Sequence, residues 1–198
     1  MVALSLGGLG AGGSLACSPW PGGASGEGAA ARRNGGAGDG TPLVFGSEGN
    51  ITVVSPDGRQ RRALTKVVGG SQARDPSWSP DGTRIAYSYT PPLPATRGPG
   101  GMLPLPVTDV YVMGADGSGA KVLVDHGSPG VGFETPTWAP DGQSLYVTYT
   151  ELVMDGNIVK DQVLELARVP IGGGMRQTLV SNAISPAVSP DGKRLAFV

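Results

Sequence analysis

Few residues in this 198-residue chain have side chains suited to chemistry. Cys17 is the one cysteine and His126 the one histidine, while three aspartates recur as a set. Asp81, Asp141 and Asp191 stand in the words PSWSPDGTRIAYSY, PTWAPDGQSLYVTY and PAVSPDGKRLAFV, at separations of 60 and 50 residues. A thiol close to the N-terminus can carry a lipid, an imidazole can move a proton, and ordered carboxylates can hold calcium. A calcium site, however, gathers several oxygen ligands, and each of these words supplies one carboxylate. A triad or a zinc centre usually wants further partners, and His126, the one histidine, reads as a residue of a loop between repeats. A Gly-x-Ser-x-Gly nucleophile elbow is also missing: GSEG at Gly46 and GADGSGA at Gly114 have the wrong spacing. The sequence therefore predicts no catalytic residue, no metal ligand and no cofactor site.

The aspartates make better sense as turn chemistry. In Ser79-Pro80-Asp81-Gly82, Pro presets φ for the first central position of a type I turn, Asp fits the second, and Gly takes the left-handed conformation that closes a hairpin. The segment after each corner alternates with a period of two. TRIAYSY places Ile85, Tyr87 and Tyr89 on one face and Ala86 and Ser88 on the other, as a strand requires. Half-motifs lie between the corners, ITVVSPDG from Ile51, DVYVMGADG from Asp109 and LARVPIGGG from Leu166, and a third element comes after each around Leu64, Leu123 and Leu179. Four short strands in each 50 to 60 residues, with Trp78, Trp138 or Val188 just before the corner, describe a β-propeller blade. The strands are expected at PSW (innermost), TRIAYSY, DVYVM and KVLV, with the two tryptophans and Val188 packing between neighbouring blades.

Composition narrows the class. Lys plus Arg number 15 against 16 Asp plus Glu, so no field draws in nucleic acid or an anionic membrane. Residues 1–16 form an apolar, signal-like leader, too short and too rich in glycine to span a bilayer. Residues 17–41 read as a flexible Gly- and Ala-rich tether that also holds Trp20. Residues 42–198 hold the repeats. Cys17 directly succeeds Ser14-Leu15-Ala16, a placement that resembles a bacterial lipobox, although Ser14 stands where Leu is usual and no basic stretch precedes the apolar run. A lipid-anchored protein, a plainly cleaved signal and a low-complexity leader all remain open.

The repeated words from Pro42 to Val198 resemble the Pro-Asp class of WD-like repeats found in TolB-like propellers of exported bacterial proteins. The resemblance implies an all-β fold of four-stranded antiparallel blades. It counts about three to four blades here, where TolB-like rings typically have six, and so implies an incomplete propeller belonging to a longer gene product. It does not choose a function, because the same repeats build the propellers of prolyl-oligopeptidase-type peptidases. Two functions are expected to compete. One is a non-enzymatic exported scaffold, in the periplasm or at the cell surface, that binds a protein or cell-envelope partner. The other is the propeller domain of a serine peptidase whose catalytic domain is not in this chain.

In a four-stranded meander, the tight corners share one face and the connections between second and third strands share the other. The latter carry both insertions, TPPLPATRGPGGMLPLP from Thr90 and TELVMDGNIVKDQ from Thr150. Leu93, Met102, Leu103 and Leu105 with Arg97 from the first, and Met154, Asp155 and Lys160 from the second, are the expected partner surface. If Cys17 bears lipid, the protein sediments with membranes in a bacterial host that recognises the signal, and Cys17→Ala releases it. Mass spectrometry of the mature N-terminus checks this; an unmodified thiol there rules the anchor out.

Overall fold

The computed structural model describes the backbone of Val2–Ser5 and residues 42–93 and 105–198. Cys17, Trp20 and the expected tether lie outside the described residues. All the regular structure described is β. Blade 1 holds β2 (Leu43–Ser47), β3 (Asn50–Val54) and β4 (Arg61–Ala63). Blade 2 holds β5 (Gln72–Trp78), β6 (Arg84–Thr90), β7 (Asp109–Gly114) and β8 (Lys121–Val124). Blade 3 holds β9 (Val131–Trp138), β10 (Ser144–Asp155), β11 (Ile158–Pro170) and β12 (Gln177–Ser181), and the fourth sheet holds β13 (Ala187–Val188) and β14 (Arg194–Phe197). Every sheet pairs antiparallel, and blades 2 and 3 run in chain order from first to last strand. The four strands expected of blade 2 are all present. One element was not expected: β1 (Val2–Ser5), from the apolar leader, pairs with β14 in the register Val2 to Phe197 and Ser5 to Arg194.

The core lies between the sheets. β6 shows why: Ile85 joins Ile51, Ala73, Tyr87 and Met113 in the seam of blades 1 and 2, while its neighbour Ala86 joins Trp138, Val147 and Val169 in the seam of blades 2 and 3. Both faces of a middle strand are thus covered, so alternate residues feed alternate seams. A third cluster, with Tyr146, Leu166, Leu195 and Phe197, fills the seam of blades 3 and 4. The expected wedges sit in these seams. Trp138 is fully buried, with its Nε1 donating to the Ser77 carbonyl at 3.0 Å and the Arg84 guanidinium 4.6 Å over its ring. Trp78 packs against the first cluster and Val188 against the last.

The corners have the expected chemistry. Gly82 N–H donates to the Ser79 carbonyl at 2.9 Å, with Gly82 at φ 68°, and Ser79 N–H closes the hairpin on the Arg84 carbonyl. The carboxylate of Asp81 organises the turn, accepting from Ser79 Oγ at 2.6 Å, from Thr83 N–H at 3.0 Å and from Thr83 Oγ1 at 2.8 Å. Asp57 and Asp191 repeat the Ser and backbone contacts. The corner between β7 and β8 meets the neighbouring blade: a Cβ on Gly117 (φ 89°) would stand 2.9 Å from the Leu64 carbonyl oxygen, so only glycine fits there.

A second recurring device sits in the first strands of blades 2 and 3 and just ahead of the first strand of blade 4. Asp75, Thr135 and Ser185, each just before the blade's proline, have φ between 49° and 56°. The left-handed conformation is costly for such residues, above all for β-branched Thr135. In blades 2 and 3 it marks a bulge. Arg74 pairs with Ser88 but Ser77 with Ala86, and Glu134 pairs with Thr148 but Thr137 with Tyr146, so one extra residue sits in each of these first strands. The exposed N–H is met by the preceding blade: Thr135 N–H donates to Ser88 Oγ at 3.1 Å, and Ser185 N–H to Thr148 Oγ1 at 2.9 Å. Ser88 and Thr148 are equivalent residues of β6 and β10, and both are buried.

These contacts can be tested through stability. Thr148→Val keeps the shape but leaves Ser185 N–H and Thr135 Oγ1, now 2.7 Å from the Thr148 hydroxyl, without their partner. It should cost about 1–3 kcal/mol by chemical denaturation, with Thr148→Ser recovering most of it. For the corners, hydrogen bonds from Ser79 and Thr83 hold the Asp81 carboxyl down to about 2, against 3.8 ordinarily. A carboxyl depressed by folding stabilises the protein above its ordinary range, and that stabilisation is lost as pH falls through the folded value. Thermal midpoints should therefore drop from about pH 4 to about pH 2, and Asp81→Asn should make that drop shallower while lowering the midpoint at neutral pH.

Candidate partner-binding face

The end of the arc opposite the SPDG corners is built by the exit from β6, the return into β7, the start of β9 and the far halves of β10 and β11. Pro91–Leu93 leave β6, and Leu93 is 55% exposed. Arg97, Met102 and Leu103 lie outside the described residues. The chain is described again at Leu105, and Thr108 forms a parallel bridge with Gly132 while its carbonyl accepts from Phe133 N–H at 2.8 Å. This return is therefore stitched to the next blade.

The second insertion differs from the expected loop. β10 and β11 have 12 and 13 residues, against 7 and 6 in β6 and β7, and they pair as far as Asp155 and Ile158. Residues 150–162 are thus a β-hairpin arm closed by a two-residue turn in which Gly156 has φ 60°. β-branched residues on both sides of Asp155-Gly156-Asn157 carry that signal, and sequence reasoning missed it by treating the inserted length as loop. Lys160 is the extra residue of a bulge, because Val153 pairs with Asp161 and Met154 with Val159. Lys160 and Asp155 are exposed and Met154 is half-buried.

The two insertions meet at Gly130. Leu152 N–H donates to the Gly130 carbonyl at 2.9 Å. A Cβ on Gly130 would fall 3.1 Å from Leu105 Cδ1 and 3.3 Å from Leu152 Cβ. Leu105, Leu93 and the arm thus share one end of the arc. The apolar residues at the arm's tip were not singled out in the sequence: Ile158 is 72% exposed, Val159 50% and Val153 37%. A hairpin base keeps the arm in place. Phe133, Tyr149 and Glu165 face one another across β9, β10 and β11, with the rings of Phe133 and Tyr149 5.2 Å apart. The Arg176 guanidinium lies 3.7 Å over the Tyr149 ring and bonds Glu165 Oε2, and Tyr149 OH donates to Glu151 Oε2 at 2.7 Å.

Charge gathers at the same end. Arg74 and Glu134 occupy the same position in successive first strands, two residues before the proline, and pair at 3.3 Å. Glu134 Oε1 also accepts from Thr108 Oγ1 at 3.4 Å, and Thr108 meets Thr90 Oγ1 at 3.2 Å. Arg74 Nε is buried without a hydrogen bond among the described residues; Asp75 Oδ2 stands 3.8 Å away. These residues could have been found by aligning the words two positions upstream of Pro76 and Pro136. His126 is tied to the same end by Asp109, whose Oδ1 meets His126 Nδ1 at 2.7 Å and accepts from its backbone N–H at 2.8 Å. That pair orders the loop after β8, in keeping with its reading as a loop residue. No helix of the described residues is long and apolar enough to cross a membrane.

Comparison with known proteins agrees with this architecture. No family model matches the chain. Among curated proteins, an uncharacterized peptidase of Bacillus subtilis, YuxL, is 27% identical over 159 residues, covering 65% of this chain and 22% of that protein. Among solved structures, a putative TolB from Agrobacterium tumefaciens superposes with a TM-score of 0.51 at 20% identity, over 75% of this chain and 50% of the other. A puromycin-hydrolyzing peptidase of Mycobacterium tuberculosis matches at a TM-score of 0.45 and 15% identity, over 80% of this chain and 33% of the other. The chain therefore spans less than a quarter of the curated relative and half of the TolB chain. With its antiparallel sheets stacked in chain order, its seams filled by Trp138 and its equivalents, and its likeness to TolB, the described part of this chain has the fold of a TolB-like β-propeller, present as an open arc of blades.

Proposed function

We propose that this propeller is a non-enzymatic, exported scaffold that captures a protein or cell-envelope partner through the insertion face. The observation that carries the reading is the hairpin arm, which holds Ile158, Val159 and Val153 out in solvent on a paired, two-stranded base. A folded chain gains nothing from exposed Ile and Val side chains, whereas a partner that covers them gains about 25 cal/mol for each Å² removed from water. Leu93 and Leu105 lie at the same end, and Asp155 and Lys160 supply a polar rim. Rigid placement lowers the ordering cost of binding. Export, with or without lipid on Cys17, belongs to this same reading and draws on the leader and on the TolB likeness.

A second reading is favoured by one specific finding, the likeness to a peptidase of which the matched region covers 22%. In that case the arc is the propeller domain of a serine peptidase, and the insertion face would border the entry to a catalytic domain.

The readings separate in the full-length gene product. Replacing residues 91–106 by a short Gly-Ser link, or combining Ile158→Asp with Val159→Asp, should leave cooperative unfolding nearly intact and weaken capture from a fractionated cell-envelope extract at least tenfold. Unchanged capture by both variants, with loss on altering the SPDG corners, would place the site on the opposite face. Hydrolysis of short peptide esters, blocked by a serine-directed inhibitor, would instead establish the peptidase.

A further inference from the structure

Aspartate followed by glycine is the dipeptide at which a protein backbone isomerises most readily, because glycine has no Cβ to shield its nitrogen from the neighbouring carboxyl. The described residues hold six such pairs, beginning at Asp57, Asp81, Asp116, Asp141, Asp155 and Asp191. All but Asp155 stand in corners, and there both reacting groups are engaged. The glycine N–H donates to the carbonyl three residues back at 2.8–2.9 Å in every corner: Gly58 to Ser55, Gly82 to Ser79, Gly117 to Gly114, Gly142 to Ala139 and Gly192 to Ser189. Each corner carboxylate accepts the backbone N–H two residues on, at 2.9–3.1 Å. A Ser hydroxyl adds a second bond at Asp57, Asp81, Asp116 and Asp191, and the Arg168 guanidinium adds one at Asp141.

Asp155-Gly156 stands instead at the tip of the hairpin arm, where residues 155–160 are all exposed. The Asp155 carboxylate and the Gly156 N–H make no hydrogen bond among the described residues, and a Cβ built on Gly156 would meet nothing within 4 Å. The turn closes through the pairing of Asp155 with Ile158, which leaves the Gly156 N–H outside the ladder. Protonation separates the sites further. Hydrogen bonds, first from the Ser hydroxyls and then from backbone N–H groups, hold the carboxyls of Asp57, Asp81, Asp116 and Asp191 below the usual carboxylate range. The protonated acid is the form that reacts, since it releases its oxygen as water, and these corners hold less of it at a given pH. Asn157, whose amide could react in the same way, is followed by β-branched Ile158, which crowds the approach.

We propose that Asp155 is a modification site, at which the exposed arm tip forms isoaspartate while the fold protects the corner aspartates from the same reaction. The Gly156 nitrogen attacks Asp155 Cγ, and the amide proton leaves with the carboxyl oxygen as water, which closes a five-membered imide. Water then opens the ring. Cleavage between the nitrogen and Cγ restores aspartate, whereas cleavage between the nitrogen and the Asp155 main-chain carbonyl carbon leaves the chain running through Cβ and Cγ. The water lost is regained, so the product has the mass of the starting chain. Its backbone, however, is one carbon longer inside a two-residue turn, which no longer matches Asp155 opposite Ile158. Ile158 and Val159 lie just past that turn, so the modification would also disarm the proposed partner surface. Only this last consequence rests on the reading of the arm as a binding surface; the modification itself does not.

The test is peptide mapping of the full chain after prolonged incubation in mildly acidic buffer, with isoaspartate told from aspartate by its backbone fragments in mass spectrometry. In the folded chain, isoaspartate should build up at Asp155 at least tenfold faster than at Asp57, Asp81, Asp116, Asp141 or Asp191. The same incubation in guanidinium chloride should bring the six rates together, because the corner hydrogen bonds are then gone. Hydrogen exchange reads the effect on the arm. Amides of residues 150–162 should exchange faster in the incubated chain while β6 and β7 keep their protection, and an Asp155→Ser chain incubated alongside should show no change. Equal rates at Asp155 and the corners in the folded chain would overturn the proposal. So would an excess at Asp155 that persists in denaturant, which would belong to local sequence and not to the fold, or modification at Asp155 that leaves the exchange of the arm as it was.

Discussion

The joint on which the arc depends is one backbone N–H at the start of blade 3 and another at the start of blade 4. The residue before the blade's proline is forced into the left-handed region, at a cost on the order of 1–2 kcal/mol for a residue with a Cβ. The resulting bulge turns the next residues, Pro-Ser-Trp or Pro-Thr-Trp, toward the seam, and it frees an N–H that points at the preceding blade. Ser88 and Thr148 take that N–H inside the seam. A buried hydroxyl and a buried amide would each be expensive alone. Together they fix the distance and tilt between sheets more sharply than apolar packing, which tolerates sliding. The Trp138 indole bond to Ser77 pins the same two blades at a second point. Strain within one blade is thereby offset by contacts that exist only when the next blade is docked, which makes neighbouring blades interdependent, as in other repeat arrays.

Most of this frame was legible in the sequence because its signals are local. Pro, Asp and Gly at fixed offsets have a single turn conformation in common, and the period of two in TRIAYSY and QSLYVTY is undisturbed. The latch is also written in the words, as Ser88 and Thr148 at one position and a non-glycine residue before each proline at another. It was not readable as such, since nothing in a single chain says that an ordinary Asp, Thr or Ser will sit at positive φ. That conformation is imposed by docking, so it belongs to tertiary structure.

The insertions were legible in place and illegible in form. Thr90 to Pro106 and Thr150 to Gln162 were recognisable as added length between second and third strands, hence on one face. Their lengths are similar, but the first is studded with prolines from Pro91 to Pro106 and the second contains none. Without proline, and with valine and isoleucine on both sides of Asp-Gly-Asn, the second could continue the pairing of β10 and β11 and become an arm. The arm also exposes residues outside the expected set. Met154 is half-buried, Asp155 and Lys160 are exposed with Lys160 in a bulge, and Ile158 and Val159 add exposed apolar surface beside Lys160.

Rigidity connects the frame to the arm. Because β10 is buried as far as Tyr149, its continuation beyond Thr150 leaves the blade in a direction set by the seam cores and by the Tyr149, Glu165 and Arg176 stack. Leu152 then bonds Gly130 at the root of β9, so the base of the arm is held on two sides before it enters solvent. A flexible loop carrying the same Ile and Val would collapse onto the blade and hide them, and only a paired arm keeps them exposed. The latch that sets the angle between blades 2 and 3 therefore also sets where Ile158 and Val159 stand relative to Leu93 and Leu105. That makes the binding geometry a consequence of the interblade joint and not of the loops alone.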